Sequence, residues 1–230
     1  MQKIITTIIT LALALGLASS VQAKRGSDGQ LNLLYWQAPS TMNPNLSGGT
    51  KELEASSIVL EPLARYDEKG NMLAWLAEEI PTVENGGVSK DLTSITWKIK
   101  KGIKWSDGSA LTADDAVFTY EYCTNPDTGC TSTNYYKDIQ SVKAIGSNTV
   151  KIQFTVPKPF PYATFVGYNS PILQKAQFDG CQGAKAQECT KQNFYPIGTG
   201  PFKVVDFKPN DVIVFEANPN YRDASKPAFN

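Results

Sequence analysis

Residues 92–122, LTSITWKIKKGIKWSDGSALTADDAVFTYEY, restrict the fold more than any other part of the chain. Within them the apolar period changes from that of a strand to that of a helix. Ile95, Trp97 and Ile99 alternate with Thr96, Lys98 and Lys100, the period of two of a half-buried strand. Gly102 interrupts the pattern, and Ile103-Lys104-Trp105 resumes it as a second strand segment. Ser106-Asp107-Gly108 is turn chemistry, because Asp bonds its own backbone and Gly accepts positive φ. Thr112 is then placed to cap a helix, with Asp114 and Asp115 in its first turn against the helix dipole. Ala113, Ala116, Val117 and Tyr120 share one face of that helix. Trp97 and Trp105 are assigned to structure, and the Asp pair to the cap.

The rest of the composition acts mainly by exclusion. The chain of 230 residues has no His, which removes Ser-His-Asp and Cys-His nucleophiles and any imidazole metal ligand. Formal net charge is zero and no basic stripe occurs, so no nucleic-acid partner is expected. No cofactor and no metal are expected either. Residues 1–23 read as an export leader: Lys3 is the positive end, Ile4 to Ala18 the apolar run, and Val21-Gln22-Ala23 the cleavage site. The apolar run is too short for a comfortable membrane span. The mature chain is therefore expected to be exported and soluble, which in a Gram-negative cell means periplasmic.

An even number of cysteines suits that compartment. Cys123, Cys130, Cys181 and Cys189 allow three pairings. The two local ones, Cys123–Cys130 and Cys181–Cys189, are preferred because each pair brackets a Gly-containing polar loop. Each would contribute roughly 2–3 kcal/mol on a chain-entropy argument. The spacings are not those of zinc knuckles. Both loops read as additions to the core rather than its foundation.

The remaining elements follow in order. Leu31 to Trp36 is apolar enough for a first strand buried on both faces. Thr50 caps a helix running to about Leu60, ended by Pro62. Leu63–Tyr66 and Met72–Trp75 flank the turn Asp67-Glu68-Lys69-Gly70 as a hairpin. A second hairpin joins Val142–Ile145 to Thr149–Val156, in which Val150, Ile152, Phe154 and Val156 face inward; Pro157, Pro159 and Pro161 end it. The glycines of Pro196-Ile197-Gly198-Thr199-Gly200-Pro201-Phe202 precede a strand, not a helix, so they are no phosphate loop. Thr199 is loop architecture. A last hairpin joins Phe202–Phe207 to Val212–Ala217.

Several of these words resemble the family 5 extracytoplasmic solute-binding proteins, the peptide receptors of ABC importers. They are T-W-K-I-K-K-G-I-K-W-S-D-G-S-x-L-T-A-D-D-A-V-F, the Glu61-Pro62-Leu63 step, the Leu76-Ala77-Glu78 step, the proline break followed by an aromatic, and GTGPF followed by a hairpin and E-A-N-P-N-Y. Met42-Asn43-Pro44 is similar to the family's Leu-Asp-Pro, with Asn in place of Asp. The resemblance implies an α/β fold, a mixed sheet with hairpins, forming lobe one of a two-lobed periplasmic binding protein. Residues 24–230 would be the N-terminal part of the family domain, without the C-terminal lobe. It implies a monomeric receptor, with no chemistry of its own, that binds peptides and delivers them to permease subunits in the membrane. By position in the family, Trp36, Gln37 and Ala38 would contact ligand. Tyr135 and Tyr136 could line a cleft but read as surface packing. Oligosaccharides or metal chelates are the alternative ligands, and an exported carboxylate-based hydrolase is the alternative class.

Overall fold

The structure, a computed structural model, describes residues 29–226. The leader over 1–23 and the chain end from Pro227 to Asn230 lie outside the described residues. The chain divides into two units, Met1–Asn32 and Leu33–Ala228. The described part of the first contains no helix or strand; apart from Leu31 and Asn32, all that follows concerns the second.

Four α-helices and seven strands are described: α1 (Thr50–Ser56), β1 (Ala64–Tyr66), β2 (Met72–Ala74), β3 (Ser94–Lys98), α2 (Ala113–Thr124), β4 (Ile139–Ala144), β5 (Thr149–Phe154), α3 (Lys175–Phe178), α4 (Thr190–Phe194), β6 (Phe202–Phe207) and β7 (Ile213–Ala217). All ladders are antiparallel. β1 pairs β2, β6 pairs β7, and the central sheet has the order β3-β5-β4. Ile95 faces Ile152 and Trp97 faces Val150 in the β3–β5 register. Ile95, Trp97 and Ile99 are fully buried, so the alternation read from the sequence is the inner face of this sheet. Truncating Trp97 there would cost about 3–5 kcal/mol.

The helix of the central stretch begins as its sequence dictates. The Thr112 hydroxyl caps the first turn, and the Asp115 carboxylate reaches back to the Thr112 N–H at 2.9 Å, a complete capping box. Its buried face differs from the expected one. Ala113 and Ala116 are buried, but Val117 and Tyr120 are only half-buried, whereas Phe118, Thr119, Tyr122 and Cys123 are buried. α2 has a neighbour on each side: the sheet on one and α3 on the other, where Tyr122 meets Phe178 edge-on at 6.1 Å. A helix held between two neighbours buries more than one stripe.

Four further expectations are corrected. Ile103-Lys104-Trp105 is not a strand; one bridge, Lys104 to Ala110, closes the turn there, and Ile103 and Trp105 are buried as side chains. Val156 lies beyond the end of β5 and is exposed. The run Leu31 to Trp36 forms no strand, and Leu34 and Trp36 are largely exposed. A strand needs a ladder partner, and no described strand pairs with this run. Finally, α1 starts one residue earlier than expected, capped by Gly49, and stops at Ser56 rather than near Leu60. The carbonyls of Ile58 and Val59, just beyond its end, accept from Phe202 (3.3 Å) and Gly200 (2.8 Å). A Cβ on Gly198 would stand 1.9 Å from the Val59 oxygen, and one on Gly200 2.4 Å from that of Ile58. The two glycines are there to let two backbones meet.

The disulfides are Cys123–Cys130 and Cys181–Cys189. Their loops are more than additions. Cys123, Cys130 and Cys181 belong to the buried apolar cluster, and the loops join through the Gly183 N–H donating to the Thr128 hydroxyl at 3.0 Å. The reason is position: Cys123 lies on the inward face of α2.

Candidate functional site

The last turn of α1, the first hairpin and the segment after the proline run converge on one pocket. The parallel bridge of Ala64 to Val166 sets the convergence. Around it, the Leu63 N–H donates to the Phe165 carbonyl (2.8 Å), and the Gly167 N–H to the Ala64 carbonyl (2.9 Å). Segment 165–167 thus lies beside β1, joined to it by one bridge. Phe165 holds this path at φ 61°, a costly conformation for a bulky residue. Full burial and an N–H bond to the Ser170 hydroxyl at 2.9 Å keep it there.

The pocket has a volume of about 480 Å³, within the range of small-molecule sites. Tyr66 and Arg65 of β1 line it, with Phe160, Tyr162 and Tyr168 from the later segment, Tyr135 from a 3-10 turn, and Glu54 and Ser57 at the end of α1. Three of the rings are open to solvent: Phe160 at 64%, Tyr66 at 48% and Tyr168 at 45%. Tyr162 is fixed from behind, its hydroxyl donating to the Pro81 carbonyl at 2.7 Å and its ring edge-on to Phe160 at 5.0 Å. Burial raises its phenol pKa. An exposed group of aromatic rings on a rigid frame offers flat apolar contact with few rotatable bonds.

Next to the pocket is a buried ionic junction. Glu61 is 1% exposed. Its carboxylate accepts from Arg222 at 2.7 and 3.2 Å, from the Trp75 indole at 2.6 Å and from the Thr199 hydroxyl at 2.8 Å. Both oxygens are therefore fully engaged, the condition for burying a charge without heavy cost. Arg222 lies over Trp75 at 5.2 Å and over Tyr221 at 4.8 Å; Arg65 lies over Trp75 at 4.5 Å. The Arg65 Nη2 donates to the Ser57 carbonyl at 2.7 Å, while its buried Nε has no protein partner. Burial lowers the Arg65 pKa, and burial followed by repulsion from Arg222 lowers that of Lys100, whose ammonium donates to the Trp75 carbonyl at 2.8 Å.

The residues singled out from the sequence fall in different places. Trp36 is 70% exposed, Gln37 is exposed and Ala38 half-buried; none of the three lines the pocket. Tyr135 does line it. Tyr136 is buried, edge-on to Phe165 at 6.0 Å, and burial pushes its phenol up to about 12. Thr199 is loop architecture with a specific task, holding Glu61. Asp115 caps α2 and also accepts from the Lys175 N–H at 2.9 Å; burial raises its pKa. Among the described residues, no group of three or more Cys, Asp or Glu side chains is arranged to hold a metal ion. Sequence reasoning missed Arg65, Tyr66, Phe160, Tyr162 and Tyr168 as one surface. The available signal was the aromatic density of 160–168.

Comparison with known proteins places this geometry. Residues 71–230 match the family described as bacterial extracellular solute-binding proteins, family 5 Middle. The oligopeptide-binding protein AppA of Bacillus subtilis is 31% identical, over 80% of this chain and 32% of its own length. Its structure in complex with a nonapeptide superposes with a TM-score of 0.71, at 30% identity, over 80% of this chain and 35% of that one. The dipeptide-binding protein of Escherichia coli is 30% identical over 90% of this chain and 40% of its own length. NikZ of Campylobacter jejuni, solved with Ni(L-His), superposes with a TM-score of 0.66 at 27% identity, over 80% of this chain and 34% of that one. The chain thus spans about a third to two fifths of the length of these relatives.

Proposed function

The chain belongs to the bacterial extracellular solute-binding proteins of family 5, and on that premise we propose that it works as the peptide-binding receptor of an ABC importer. Residues 24–230 are then the N-terminal part of the family domain, lobe one of a two-lobed receptor. The chain is exported and its leader is cleaved after Ala23, the receptor is a periplasmic monomer, and its membrane partners are the permease subunits. The observation that carries the reading is the joint one of peptide-binding relatives and an aromatic pocket. The family match covers the segment that supplies Tyr135, Phe160, Tyr162 and Tyr168, and two relatives at about 30% identity are named for oligopeptide and dipeptide binding. Aromatic faces with backbone groups between them suit a peptide held largely without regard to its sequence. Trp36, Gln37 and Ala38 contribute a second contact with the peptide backbone.

A metal chelate is the second reading, favoured by the likeness to NikZ with its bound Ni(L-His). This chain supplies no His for direct ligation, so a metal would have to arrive with its ligands. The family relatives are solute-binding proteins, and a hydrolase reading would require product in a turnover assay. Calorimetric titration of the full-length gene product with a mixed peptide pool, oligosaccharides and chelates decides among these. Peptide binding with no product formed is the expected result. A sugar or chelate response with no response to peptides would overturn the peptide assignment.

A further inference from the structure

Arg65 stands at the wall of the aromatic pocket in an environment with too much positive charge. Arg65, Arg222 and Lys100 are grouped around a single buried carboxylate, Glu61. Arg222 takes both oxygens of that carboxylate, and the Trp75 indole and Thr199 hydroxyl occupy its remaining lone pairs. Arg65 forms no ion pair among the described residues. Two other carboxylates are near. Glu54 lines the pocket but is exposed, and Asp223, beside Arg222, is half-buried with its carboxylate taken by the N–H and hydroxyl of Ser225. An exposed charge such as that of Glu54 is screened by water and salt. The guanidinium is held in place nonetheless, by its stack on Trp75 and its bond to the Ser57 carbonyl. A fixed guanidinium without its own acid, at the wall of an aromatic pocket, is preorganised to meet an anion with the N–H groups that Ser57 leaves free.

We propose that Arg65 is the anion-recognising residue of this pocket, and that the pocket takes a carboxylate-bearing peptide group. The carboxylate lies against Arg65, and the apolar part of the ligand lies against Tyr66, Phe160 and Tyr168. This inference rests on the peptide-receptor reading above. The carboxylate has two possible sources in a peptide, the C-terminus or an Asp or Glu side chain, and the chemistry at Arg65 is the same for both.

The test uses the full-length gene product as wild type, Arg65→Gln and Arg65→Lys. Three peptides of one length are titrated by calorimetry: neutral with a free C-terminus, amidated with one Asp, and amidated and neutral. Arg65→Gln removes the charge and keeps a polar side chain at the pocket wall. It is expected to weaken the carboxylate-bearing peptides roughly ten- to hundredfold and to leave the neutral amidated one within about twofold. Arg65→Lys falls between, since it keeps charge and loses the planar guanidinium. Which of the two carboxylate peptides responds identifies the source. Equal weakening of all three peptides, or of none, overturns the inference. A fourth titrant, Fe(III)-EDTA, separates the two claims. If no peptide binds but this carboxylated chelate does, with loss in Arg65→Gln, the peptide reading falls and the anion site stands. If neither peptides nor chelate show Arg65-dependent binding, the anion site falls.

Discussion

Two arginines lie over the ring of Trp75, and the fold treats them in opposite ways. Arg222 spans both oxygens of a carboxylate with no exposed surface, in a junction completed by Trp75 and Thr199. Arg65 has one carbonyl, a ring and an unpaired Nε, and it borders a pocket of exposed aromatics. Satisfied charge holds the first hairpin, the glycine loop and the last described segment together. Unsatisfied charge beside open rings is what a binding surface retains. The same residue type on the same indole is thus structural in one place and available for recognition in the other, according to which acid lies within reach.

The comparison predicts a descending series of effects on unfolding free energy, measured by denaturant titration of the full-length gene product. Glu61→Ala leaves Arg222, the Trp75 N–H and the Thr199 hydroxyl without their acceptor, and should cost about 3–5 kcal/mol. A cost under about 1 kcal/mol would mean that Arg222 simply turns to solvent, and the contrast between the two arginines would fail. In a double-mutant cycle, Glu61→Gln with Arg222→Gln should cost less than the two single changes added, by about 1–3 kcal/mol. Thr199→Val removes one hydroxyl bond to the buried charge and is expected to cost about 1–3 kcal/mol. No loss there would show that Arg222 and the Trp75 indole hold Glu61 without Thr199. Arg65→Gln should be the mildest, within about 1 kcal/mol, since it breaks no ion pair. A loss as large as that of Glu61→Ala would make Arg65 a second structural arginine and remove the distinction.

The parts of the fold legible in the sequence are those whose cause lies within a few residues. Ile95, Trp97 and Ile99 alternate because the strand's side chains alternate, and their full burial needed no distant information. Thr112 and Asp115, three residues apart, carry a capping box in their identities alone. The hairpins and the two disulfides are equally local, with loops short enough that the nearest partner is the right one. The family words in the same segments made the fold class readable as well.

The tertiary structure decided what depends on partners far along the chain. Glu61 reads as a helix-ending residue before a proline, yet it meets Thr199 across 138 positions and Arg222 across 161. α1 reads as running on to Leu60, but it stops at Ser56, and the carbonyls just beyond it, those of Ile58 and Val59, are taken by the glycine loop more than 140 positions away. The run Leu31 to Trp36 has the composition of a strand, but a strand exists only as half of a ladder, and composition does not name the other half. The pocket is of the same kind: Arg65 and Tyr168 become neighbours only when segment 165–167 pairs with β1. Periodicity and caps are written in a window of sequence because their energies act along the chain. Which charges are paired and which are left for a ligand is set by contacts through space, and those exist only once the chain has folded.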